Sequence, residues 1–173
     1  MTASKKIEEA EYNFGKMVRI DPPNKEFDFE LSNFLSSTKS IMDHLLEEYN
    51  IKYKLNLKHL KIDKFMIKAV KTKNNDAISF IQWYDYQLTQ IKNDKACLFL
   101  MKARNLNVHQ DQVTPRWTTG NAIIDNSDPN NRKIIDLGSL WFFEDYPHED
   151  ARVICRRFLD KITTVVILAR SIF

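Results

Sequence analysis

The sequence predicts a mainly α fold: a bundle of four main helices, preceded by a short N-terminal helix and interrupted by a β-hairpin near residues 113–146. Three observations predict it. Glycine numbers only 3 and proline 5, and the prolines sit at 22, 23, 115, 129 and 147, so long stretches carry no helix breaker. Four stretches repeat apolar residues at alternating spacings of 4 and 3, the mark of one buried helix face. One stretch alone is rich in β-branched and aromatic residues around a cluster of turn formers.

Each element follows in order. Residues 5–19 place Ile7, Ala10, Phe14 and Met17 on roughly one helical face, and Asp21-Pro22-Pro23 ends it, because a residue before proline is pushed out of the helical region. Phe27, Leu31, Phe34, Thr38, Ile41, Leu45 and Tyr49 then form a stripe, broadened by Leu35, Met42 and Leu46, which predicts a helix from about residue 27 to about residue 50. Leu60–Val70 has room for a short helix. Asn74-Asn75-Asp76 is a helix-capping cluster, and Ala77, Ile81, Tyr84, Leu88 and Ile91 follow it as a third stripe. Lys92-Asn93-Asp94 reads as a turn that caps the next helix, Lys95 to about Val108. Its Ala96–Met101 run is apolar on every face, the pattern of a helix inside a bundle or an interface.

Val113–Ile124 and Arg132–Phe143 are strand-like runs flanking Asp125–Asn131, hence a hairpin with a long loop. Pro147 is read as opening the last helix, with Glu149 and Asp150 in its first turn. Ala151, Cys155, Phe158, Ile162, Val165, Ala169 and Ile172 make its stripe. Neither a repeat nor a linker divides the chain, so residues 1–173 read as one domain.

Composition narrows the classes. Hydrophobic residues at 43% and charged residues at 28% suit a globular chain and exclude collagen-like and low-complexity sequence. Cys97 and Cys155 lie in apolar runs with no metal-like spacing, as buried free thiols do. The N-terminal stretch lacks the apolar region of a signal peptide, and the longest apolar runs fall far short of the roughly 20 residues a membrane span needs. A cytoplasmic protein with no membrane partner is expected.

Charge is unevenly placed. Residues 50–73 hold eight lysines against the single acid Asp63, +7 in all, which leaves −4 for the rest of the chain. With Tyr53, His59 and Phe65 interleaved, this stretch is either a contact surface for a polyanion such as RNA, with Lys58, Lys61 and Lys64 as candidate contacts, or a solvated loop and helix face.

Motifs for metals and phosphates are missing. A di-iron bundle needs Glu-x-x-His on two helices, and only the reversed His44-x-x-Glu47 occurs. No glycine-rich phosphate loop or G-x-S-x-G elbow is present, so no metal and no cofactor are expected. One constellation remains, Arg104-Asn105 followed by His109 at the end of the most apolar helix. It reads either as a capped helix end, with Arg104 paired to an acid and His109 facing the last carbonyls, or as a site open to solvent.

Arg104-Asn105-x-x-x-His109 resembles the signature of the HEPN family: an arginine, a polar residue directly after it, and a histidine a few positions later on a bundle helix. Asn33–Ser40 resembles the first core helix of that family, and Asn93–His109 the helix that carries its motif. The resemblance spans roughly residues 26–111 and, more loosely, the final helix; the hairpin lies outside it. It implies an up-and-down four-helix bundle that dimerises around the motif. Many members are metal-independent endoribonucleases, toxins and defence nucleases among them. Others are silent modules that bind a nucleotide or a partner protein, some beside a nucleotidyltransferase. The resemblance thus implies Arg104 and His109 as a catalytic pair, Asn105 as their polar support, a homodimer, and possible partners in RNA and a nucleotidyltransferase-type antitoxin.

Overall fold

In a computed structural model of the chain the backbone is described for residues 2–108, 115–118, 122–125, 133–136 and 139–173, with side chains for all of these but 103–108, 122–125 and 133–136. The fold is mainly α. Six helices are present among the described residues: α1 (Ala3–Met17), α2 (Glu26–Lys52), α3 (Ile62–Lys71), α4 (Asn75–Asn93), α5 (Lys95–Val108) and α6 (Ala151–Ile172). Between α5 and α6 lie β1 (Arg116–Thr118), β2 (Ala122–Asp125), β3 (Lys133–Asp136) and β4 (Leu140–Phe142).

The long helices bury the stripes their spacing marks out. All ten apolar and threonine positions read for α2 are buried, Phe27 through Tyr49. α1 lies along α2 and buries Ala10 and Met17, with Ile7 and Phe14 half-buried at its flanks. In α4, Ala77, Ile81, Tyr84 and Ile91 are buried and Leu88 half-buried. Phe80, outside the expected stripe, is the hub of that helix. Its ring stacks on Tyr49 at 3.9 Å and meets Phe65 at 5.8 Å and Phe173 at 5.6 Å, joining α2, α3, α4 and the C-terminus. α5 touches α2, α4 and α6.

Capping sets the boundaries. The Asn74 side chain accepts from Ala77 N at 3.0 Å and starts α4. Pro147 does not open α6, contrary to the sequence reading. Asp150 is the N-cap, in extended backbone (φ −61°, ψ 129°), and its carboxylate accepts from Arg152 N at 2.7 Å. A carboxylate placed just before the helix can reach those free N–H groups, so the helix starts at Ala151 rather than at the proline. At the other end Ile172, the expected last member of the α6 stripe, is 57% exposed, while the next residue, Phe173, turns onto Phe80 and Trp83.

The hairpin occupies the inserted region as expected. β1 pairs antiparallel with β4 and β2 with β3, in one common register from Arg116↔Phe142 to Asp125↔Lys133. Its base is anchored by Trp141, whose ring stacks on Phe27 at 4.3 Å and whose indole N–H donates to Ile20 O at 3.1 Å. Cys97 and Cys155 are buried free thiols.

Candidate functional site

The Arg104-Asn105 pair stands on the backbone near the end of α5; its side chains, and His109 as a whole, lie outside the described residues. What the structure describes is how α5 is held. Asp94, just before the helix, accepts from Ala96 N at 3.0 Å and Cys97 N at 3.2 Å, and Lys161 Nζ of α6 donates to its other oxygen at 2.5 Å. The Lys161 hydrogen bond, aided by those two N–H groups and the lysine charge, holds the Asp94 carboxyl below its ordinary pKa against the opposing effect of burial. Burial raises the neighbouring Cys97 thiol to about 11, which keeps it neutral and unreactive at neutral pH.

The apolar run of α5, read as lying inside a bundle or an interface, is largely covered within the chain. Ala96, Cys97 and Leu100 are buried, and Leu98, Phe99 and Met101 are half-buried. The segment after β4 covers the outer side: the Phe99 ring lies 5.0 Å from Phe143 and 5.4 Å from Tyr146. Phe143 and Tyr146 thus cover this side of α5 within one chain. On the inner side, Met101 borders a small cavity of about 160 Å³ shared by α2, α4 and α6, where Tyr84 O–H donates to Met42 O at 3.1 Å.

The candidate contacts Lys58, Lys61 and Lys64 are all exposed, Lys58 and Lys61 in the turn before α3 and Lys64 on it. The turn itself is well anchored. Leu55 is fully buried, and the Asn50 side chain donates to Leu57 O at 3.2 Å and accepts from Leu57 N at 3.1 Å. The lysines therefore project from a fixed scaffold rather than from a loose loop. His44 Nδ1 lies 3.2 Å from Glu47 Oε2, a local pair on one helix. Among the described residues no group of three or more His, Cys, Asp or Glu side chains converges.

One feature escaped the sequence reading. A cleft of about 680 Å³ runs between α4 and α6, with Gln87 and Gln90 on one wall and Arg156, Arg157 and Lys161 on the other. Three cations within six residues of α6 were the available signal. Each is bound by a carboxylate, however: Arg156 by Glu11 at 2.7 Å and by Asp160, Arg157 by Glu149, and Lys161 by Asp94. Charge so neutralised ties helices together and leaves little attraction for an anion. No helix among the described residues is long and apolar enough to cross a membrane. No protein-family model, no curated protein and no solved structure matches the chain.

Proposed function

We propose that the chain is a HEPN-type, metal-independent endoribonuclease that acts as a cytoplasmic homodimer. The observation that supports this reading is the Arg104-Asn105-x-x-x-His109 motif of the sequence, whose Arg104-Asn105 pair stands near the end of a helix packed among three others. The ribose 2′-hydroxyl attacks the adjacent phosphorus and expels the 5′-oxygen, leaving a 2′,3′-cyclic phosphate. His109 carries the proton from the 2′-hydroxyl to the leaving 5′-oxygen, imidazole being the side chain whose charge changes near neutral pH. Arg104 stays charged and grips two phosphate oxygens with its planar fork, stabilising the charge that develops. Asn105 orients the histidine or contacts the phosphate. Lys58, Lys61 and Lys64 add backbone affinity without base preference.

The dimer has a geometric basis in this reading. Positions five apart on a straight α-helix point about 140° apart, since each residue turns about 100°. Arg104 and His109 of one chain would therefore diverge on a straight helix; either distortion at the helix end or a two-fold axis beside α5, which pairs Arg104 of one copy with His109 of the other, would bring them together, and the second route calls for a dimer. A nucleotidyltransferase-type antitoxin is the partner such a toxin would have.

The test is mass spectrometry of single-stranded RNA incubated with the protein in EDTA. Fragments ending in 2′,3′-cyclic phosphate are expected. His109→Ala and Arg104→Ala should each slow cleavage by about 10²–10⁴-fold while the protein stays folded. If wild type and His109→Ala leave RNA equally intact, the chain is instead a catalytically silent module that binds a nucleotide or a partner protein.

A further inference from the structure

The outward face of α3 carries apolar side chains that the core does not use. Ile67 is 66% and Val70 55% exposed, while Phe65 and Ala69 on the opposite face are fully buried. Lysines stand beside them: Lys64 and Lys71 are exposed and Lys68 half-buried, and none forms an ion pair among the described residues.

The arrangement is lopsided. With about 100° of turn per residue, Val70 and the half-buried Met66 fall about 60° and 100° to one side of Ile67. Lys71, Lys64 and Lys68 fall about 40°, 60° and 100° to the other side. Asp63, in the first turn where the helix dipole favours an acid, is the lone negative charge and sits at the start of the apolar edge. One edge of the helix is therefore apolar and the adjoining edge cationic.

We propose that this face of α3 is a docking surface for an acidic amphipathic helix of another protein, seated with its apolar edge on Ile67 and Val70 and its carboxylates on Lys64, Lys68 and Lys71. The two-edged geometry decides among occupants. A nucleic-acid backbone would use the lysines and leave two aliphatic side chains in water. A membrane would need the apolar pair at the centre of the basic residues, with cations on both sides. An amphipathic helix presents an apolar and a charged edge side by side, at the same spacings of 3 and 4 residues. Lys64 is shared with the proposed RNA surface, so the two occupants compete there, but the docking surface does not depend on ribonuclease activity.

The test uses the full chain and a fluorescein-labelled peptide with leucines at i, i+3, i+4 and i+7 and glutamates along the adjoining edge. A scrambled peptide of identical composition is the control. In anisotropy titrations the patterned peptide should bind at least about tenfold more tightly than the scrambled one. The double change Ile67→Ser with Val70→Ser should abolish that advantage, since it removes the buried apolar area. Lys64→Gln, Lys68→Gln and Lys71→Gln together should weaken binding strongly at low salt and little at high salt. The proposal is overturned if the two peptides bind alike, if neither binds, or if the serine changes have no effect. Polyuridylate binding without a preference for the patterned peptide would make the face a polyanion track. Cosedimentation with phosphatidylserine vesicles, lost in the serine variant while the peptide fails to bind, would make it a membrane contact. Both exposed positions tolerate serine, so far-ultraviolet circular dichroism of the variant should match wild type.

Discussion

The five cations of α6 and the seven lysines of residues 54–73 are opposite in situation. On α6 each cation is committed. Arg152 is held by Asp150, Arg156 by Glu11 and Asp160, Arg157 by Glu149, Lys161 by Asp94, and Arg170 by Glu48. Glu11 of α1, Glu48 of α2 and Asp94 at the start of α5 clip separate elements to the C-terminal helix, while Glu149, Asp150 and Asp160 hold its cations locally. From Lys54 to Lys73 no lysine has a carboxylate partner among the described residues. Positive charge thus serves two ends: one set is tied to carboxylates, and the other has none among the described residues. Residue type follows use, since four of the five cations on α6 are arginines, whose rigid fork suits fixed carboxylates, whereas the free set is all lysine.

The largest effect that would sharpen this comparison lies at Asp94. Asp94→Ala removes the acceptor for two helix N–H groups and the partner of Lys161, and should cost about 2 kcal/mol in urea unfolding. Acid gives the same group a signature. Its folded pKa is lowered by the Lys161 hydrogen bond, so its contribution is present above the ordinary carboxylate range and lost as pH falls below it. Wild type should therefore lose stability below about pH 4 more steeply than Asp94→Ala. An equal slope in the two proteins would break the idea that α6 cations fasten the fold.

Smaller effects test the basic stretch itself. Lys54 (φ 53°) and Lys73 (φ 53°) occupy the left-handed region directly after the C-caps of α2 and α3, where a side chain is strained. Lys54→Gly and Lys73→Gly should each raise stability by about 0.5–1 kcal/mol, read as a higher urea midpoint with unchanged slope. Arg156→Gln should cost about 0.5 kcal/mol, and a double-mutant cycle with Glu11→Gln should show coupling. Smallest of all, the combined Lys64→Gln, Lys68→Gln and Lys71→Gln change should leave the melting temperature nearly where it is, within about 0.5 kcal/mol. A clear destabilisation there would mean that these lysines serve the fold after all.

Helix positions were legible because periodic burial is written directly into the order of residues. Phe27 to Tyr49 reads as one face and is one face. Legibility failed where a neighbour decides. Phe80 is off the expected stripe of α4, yet rings from α2, α3 and the C-terminus converge on it. Ile172 continues the α6 stripe in sequence but is exposed, and Phe173 takes the inward place beside Phe80. The apolar circumference of α5 announced two-sided burial without saying by what, and Phe143 and Tyr146 of the same chain supply the cover. Of the candidate site, sequence placed Arg104 and Asn105 near the end of a bundle helix, and the backbone of α5 has them there.

Order of residues alone determined the mainly helical class, the inserted hairpin, the buried thiols and the concentration of positive charge between residues 50 and 73, because each follows from spacing or composition that no partner can alter. Tertiary structure alone decided which cations are neutralised. Arg156 and Glu11 are brought together only when α1 and α6 meet, and Lys161 and Asp94 only when α6 reaches the start of α5. It likewise decided that Ile67 and Val70 face water beside lysines that have no carboxylate partner among the described residues. Short-range periodicity fixes which face of a helix is apolar; only the packing of other helices fixes which faces are covered and which charges find a mate.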